Sequence, residues 1–161
     1  MCCNTPRSLF LAFLICATSA SVPAFAKAPA PSTASPSAKA MVAYRSLLMQ
    51  EMGKDMKLAN MLTSGQVDRP ADLVGFAAAL QNAPIGELFP AGTGPDVLET
   101  GAKAALWTDP EGFAKAVKTY QEKATALSAA AQAGDMATAK AAAKELGTTC
   151  SGCHDLYRME D

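Results

Sequence analysis

From Met136 to Tyr157, the residues Met136, Ala139, Ala143, Leu146, Cys150, Cys153 and Tyr157 recur at alternating steps of three and four. That spacing keeps one stripe of an α-helix turned toward its neighbours and is the seam of a helix bundle. A β-strand alternates every second residue and cannot produce it. The same period occurs upstream. Met41, Arg45, Leu48, Met52, Ala59 and Leu62 mark a first helix that Gly65 ends. Pro70 opens a second, carrying Leu73, Phe76, Ala77 and Leu80, and Pro84 stops it. A long connection over 84–107 follows, with a helical turn expected near 96–105. Beyond it, Phe113, Val117, Tyr120, Ala124, Leu127 and Ala131 mark a third helix. Thr108 with Glu111 fits a capping box there, and Asp109-Pro110 fits an N-cap followed by a first-turn proline. Gly134 closes this helix and Asp135 caps the last. No segment has a convincing strand pattern. The chain is therefore expected to be all-α, an antiparallel four-helix bundle over 39–161.

The N-terminal residues read as a separate matter. Arg7, the apolar run SLFLAFLICA and the small residues Ala24-Phe25-Ala26 form the pattern of a secretory signal over 1–26, cut after about Ala26. The run is too short for a membrane span of roughly 20 residues, and FLIC lacks the small residues of a lipobox before Cys16. KAPAPSTASPSA (27–38) reads as a Pro/Ala/Ser-rich flexible spacer. These features predict an exported, periplasmic protein with no stable membrane span. A net charge of −1 gives no electrostatic case for nucleic acid as a partner.

With the signal removed, Cys2, Cys3 and Cys16 leave and only Cys150 and Cys153 remain. Together with His154 they form C-x-x-C-H, the attachment signature of c-type haem. Two thiols form thioethers to the haem vinyl groups, and the adjacent imidazole ligates the iron. Structural zinc needs four Cys/His ligands, more than the mature chain holds. A thioredoxin-like dithiol belongs at a helix N-terminus after a strand, whereas this pair lies late in a helix. One covalent haem c is expected near the C-terminal end of the last helix. With a single histidine in the chain, a second axial ligand would be a methionine. In an up-down-up-down bundle the first half of the first helix faces His154, which leaves Met41, Met49 and Met52 as candidates. The competing reading is that they are core filling, the usual role of Met on a helix face.

CSGCHDLYR near the end, AYRSLLMQEMG in the first helix and FPAGTG with LWTDPEGF between helices two and three resemble the cytochrome c′ class, the class II c-type cytochromes. The resemblance covers 39–158. It implies a four-helix bundle, an architecture for which cytochrome c′ is itself a standing example. It also implies a distal haem residue four positions after the arginine of a Tyr-Arg pair. Here the pair is Tyr44-Arg45 and the position is Met49. Gas-binding members carry a non-ligating residue there, and low-spin members of the c-556 type carry methionine. The resemblance thus implies His154–Fe–Met49 coordination and a one-electron carrier, not an enzyme, working with redox protein partners. The alternative it leaves is an NO- or CO-binding cytochrome c′, five-coordinate or with Met49 displaceable. It further implies Arg45 near a haem propionate, Arg158 beside the proximal pocket, and a monomer or homodimer.

Overall fold

The structure is a computed structural model that describes residues 37–96 and 99–160. The expected signal peptide, and the spacer up to residue 36, lie outside the described residues. Five helices are present among the described residues: α1 (Ala38–Thr63), α2 (Leu73–Gln81), α3 (Ala105–Thr108), α4 (Pro110–Gln132) and α5 (Met136–Tyr157). The long four form an antiparallel four-helix bundle. α4 packs along α5, α1 packs on both α2 and α5, and α2 packs on α4. None of the described helices is long and apolar enough to cross a membrane.

Local chemistry sets each boundary. The Ser37 hydroxyl accepts from Ala40 N at 3.3 Å and starts α1, so the helix takes in Ala38. Gly65, at φ +76°, turns the chain out of α1, as a left-handed C-terminal residue must. A 3-10 turn over Pro70–Asp72 leads into α2. At α4 the Asp109-Pro110 signature prevails over the Thr108 capping box. The Asp109 carboxylate accepts from Gly112 N at 3.0 Å, while Thr108 is the last residue of α3. The turn expected near 96–105 is displaced to Ala105–Thr108.

The core occupies the end of the bundle away from the cysteines. Leu73, Leu80, Leu127 and Leu146 are fully buried, with Ala59, Ala77, Ala124 and Ala139 between them. Alanines at these crossings let the backbones approach closely. Burial of each leucine contributes roughly 1.5–3 kcal/mol. Tyr120 anchors α4 to α2 by donating its hydroxyl to Leu80 O at 2.6 Å. Gly147 does not interrupt α5; its nearest neighbour is Met56 Cε, at 3.9 Å from a Cβ placed there.

Candidate functional site

At the opposite end α1, α4 and α5 part around a cavity of about 670 Å³, within the range of cofactor sites. α1 contributes Met49 and Met52, α4 contributes Phe113, Val117 and Tyr120, and α5 contributes Cys150, Cys153 and His154. Ile85 and Phe89 enter from the link after α2, and residues 100–102 from the connection before α3. The α5 seam that is closed by leucine and alanine at one end therefore presents thiols and an imidazole at the other. The spacing of three between the cysteines places both on the cavity side of α5.

Burial pushes both thiols' pKa up, and for Cys150 the neighbouring Cys153 adds to it. Burial and the charge of Arg158 pull the His154 imidazole down, with Asp155 acting the other way. The balance favours neutral imidazole, the form that ligates a metal. Arg158 lines the cavity one turn beyond His154, and its backbone N–H donates to His154 O at 2.9 Å. Met49 is half-buried, lines the cavity and packs against the main core. Tyr44, its partner in the Tyr-Arg pair, is 52% exposed and takes no part in the wall.

Arg45 has a larger role than the sequence pattern gives it. It is 4% exposed. Nη1 donates to Leu88 O and Thr93 Oγ1, both at 3.2 Å; Nη2 donates to Thr93 O at 3.1 Å and Thr100 Oγ1 at 2.7 Å. The guanidinium also lies 4.7 Å from the Phe89 ring centroid and 5.8 Å from that of Trp107. Four of its five N–H groups thus bind the connection between α2 and α4. Burial lowers its pKa from the usual value, but an arginine remains charged. Among the described residues no carboxylate lies within ion-pair distance.

An aromatic ladder braces the same end. Phe89 meets Trp107 and Phe113 edge-on, at 6.3 and 5.3 Å, and Phe113 meets Tyr157 at 5.8 Å. The Tyr157 hydroxyl donates to Asp109 Oδ2 at 3.0 Å. Sequence reasoning missed Thr93, Thr100 and the Asp109–Tyr157 bond. Their partners lie 48, 55 and 48 residues away, beyond any local pattern.

The donor set fits a covalent haem. Two thiols and an imidazole share one rim of an apolar cavity, and a buried cation without a carboxylate partner lies on its wall, suited to an anionic group. Comparison with known proteins agrees. The family model described as Cytochrome C′ matches residues 40–158. The chain belongs to the cytochrome c′ family. Its cofactor is one covalent haem c. The chain is 36% identical to a cytochrome c′ of Pararhodospirillum photometricum over 127 residues, which covers 76% of this chain and 98% of the relative. It is 32% identical to cytochrome c-554 of Cereibacter sphaeroides over 116 residues, 71% and 86% of the two chains. Cytochrome c′ from Thermochromatium tepidum superimposes with a TM-score of 0.69 at 25% identity, covering 77% of this chain and 98% of that one. A variant of cytochrome c′ from Alcaligenes xylosoxidans, solved as its nitric oxide complex, gives a TM-score of 0.67 at 27% identity and covers 77% and 97%.

These likenesses overturn the expectation of an electron carrier with His154/Met49 coordination. They point to the cytochrome c′ class, with a nitric oxide complex among the neighbours, and do not bear out the c-556 subtype. The physical reason is visible at Met49. Its side chain is partly buried against the core while lining the cavity, and a flexible methionine on a cavity wall fills space whether or not it ligates.

Proposed function

We propose that the protein is a periplasmic gas-binding haem protein rather than an enzyme, taking up NO or CO on the face of the haem opposite His154. The single observation that carries this is an apolar cavity lined by the imidazole of His154 on α5 and by Met49 on α1, in a chain of the cytochrome c′ family. The haem supplies an iron with a coordination position at which a diatomic gas binds. Cys150 and Cys153 would tether the group to α5 by thioethers, and His154 would supply the imidazole that ligates its iron. Met49 and Met52 exclude water from the distal side, and Met49 is the residue that must yield. Arg45 offers its remaining N–H and its charge to a propionate, which offsets the burial of an unpaired cation. Arg158 stands beside His154 on the proximal side.

Optical titration of the reduced holoprotein with CO tests the reading, wild type beside Met49→Leu. Both should bind CO. If Met49 occupies the distal position nine-tenths of the time, its removal should tighten binding about tenfold, because affinity scales with the competent fraction. Absence of any CO spectrum in both proteins would sink the proposal. Binding by Met49→Leu alone would show that Met49 does not yield.

A further inference from the structure

α1 and α5 are tied to each other across one rim of the cavity by a run of hydrogen bonds that gas binding as such does not need. On the α5 side the tie is backbone. Lys103 N donates to Tyr157 O and Met159 N to Gly101 O, both at 2.8 Å, and Ala102 pairs with Arg158 in an isolated antiparallel bridge. Lys103 Nζ adds a bond to Asp155 O at 2.9 Å. Residues 99–103 thus form a strap fastened to the helix end that carries His154. Thr100 links the strap to α1: its hydroxyl accepts from Ala102 N at 3.3 Å and from Arg45 Nη2 at 2.7 Å.

Arg45 and Met49 stand one turn apart on α1 and both line the cavity. Of the residues from Ala38 to Gln50, Arg45 is the only buried one; Met52, Ala59, Leu62 and Thr63 follow later in the helix. Arg45 is therefore the one fully buried anchor of the first half of α1, beside the partly buried Leu48 and Met49 that pack on the core. Bonds to a charged donor are stronger than neutral ones, and the planar fork fixes their directions. A methionine side chain is flexible. The place it can reach is set by the helix beneath it.

We propose that Arg45 is a positioning residue: by pinning Thr100 and Thr93 to α1, it holds Met49 over the gas-binding face and resists the shift that an incoming gas requires. The inference rests on the gas-binding reading above and deepens it. Thr100→Val in the holoprotein removes the acceptor and keeps the shape. Two measurements read the result: the ¹³C-methyl resonance of Met49 in the reduced, gas-free protein, and the CO association rate after flash photolysis. The Met49 methyl should shift and the rate should rise about tenfold, equivalent to roughly 1.4 kcal/mol of barrier. Thr100→Ser should restore both, and Arg45→Lys, which keeps charge but loses the fork, should move both in the direction of Thr100→Val. Arg45→Lys also serves if Thr100→Val does not assemble with haem. An unmoved methyl overturns the proposal, whatever the rate does, and so does an unchanged rate where CO binds. If neither wild type nor variant binds CO, the gas-binding reading fails separately; the Met49 methyl then decides alone, a shift upholding the positioning role and an unmoved signal overturning it.

Discussion

At Gly112 one carbon atom separates a working contact from a clash. A Cβ there would stand 2.7 Å from Asp109 Cγ and 2.7 Å from the Tyr157 hydroxyl. The crowding exists because the Asp109 carboxylate serves two partners. Oδ1 accepts from Gly112 N at 3.0 Å and Oδ2 accepts from the Tyr157 hydroxyl at 3.0 Å. One side chain therefore caps α4 and anchors the end of α5, three residues beyond His154. Burial and this bond both raise the Tyr157 pKa, so the phenol stays a donor. Gly112→Ala should overpack the node and destabilise the protein by about 1–3 kcal/mol. Tyr157→Phe removes only the bond and should cost about 1 kcal/mol. Thermal unfolding followed by circular dichroism measures both. A Gly112→Ala protein as stable as wild type would mean that Asp109 can cap from another rotamer and that the bridge carries no weight. The cap was legible in Asp109-Pro110. Its second oxygen was not, because nothing near residue 109 in the sequence points to residue 157.

Among the elements, α5 joins two unlike ends. Its start is held by Asp135, whose carboxylate accepts from Thr138 N at 3.0 Å and from the Thr138 hydroxyl at 2.6 Å. These bonds hold the Asp135 carboxyl below its ordinary value, the hydroxyl contributing most. A carboxyl depressed by folding stabilises the fold above its unfolded pKa, about 3.9, and loses that contribution as pH falls through the lowered value. Asparagine caps nearly as well but does not titrate. The urea midpoint of wild type minus that of Asp135→Asn should thus be larger at about pH 6 than at about pH 3; an equal difference would show that the charge on Asp135 is irrelevant to α5. This helix was legible from its period and its Asp135 cap, and α4 from its period and the Asp109-Pro110 cap; α1 and α2 were legible from their period, while the Ser37 cap and the 3-10 turn over Pro70–Asp72 were not. α3 and the strap over residues 99–103 were not. Their shape is fixed by Arg45, Tyr157 and Met159 from distant parts of the chain, and no period or cap marks them. The Cys150, Cys153 and His154 motif was legible for the opposite reason, since its chemistry lies within five residues.

The bundle formed by the described residues is closed at one end by its own side chains and open at the other, where the cofactor would fill it. Alanine and leucine fill the closed end down to residues of 0% exposure such as Leu73, Leu127 and Leu146. The other end surrounds a cleft of about 670 Å³ that is open to solvent on one side. Without the cofactor, water enters from the open side and wets Met49, Met52, Phe89 and Phe113 at a cost. The protein without haem should then divide by packing. The closed end keeps its helices, while the aromatic ladder of Phe89, Trp107, Phe113 and Tyr157 loses its fixed geometry. A Cys150→Ala/Cys153→Ala variant prepared free of haem checks this. Far-UV circular dichroism should retain most of its helical signal, near-UV signals from Trp107 and the tyrosines should collapse, and a hydrophobic dye should bind, the marks of a compact state without fixed packing. Amides in the second half of α1 and the first half of α5 should exchange slowly, and those at the far end of α5 quickly. A haem-free variant with sharp near-UV bands and uniform protection along α5 would show that the strap, the Arg45 clasp and the Asp109–Tyr157 bridge hold the open end in shape unaided.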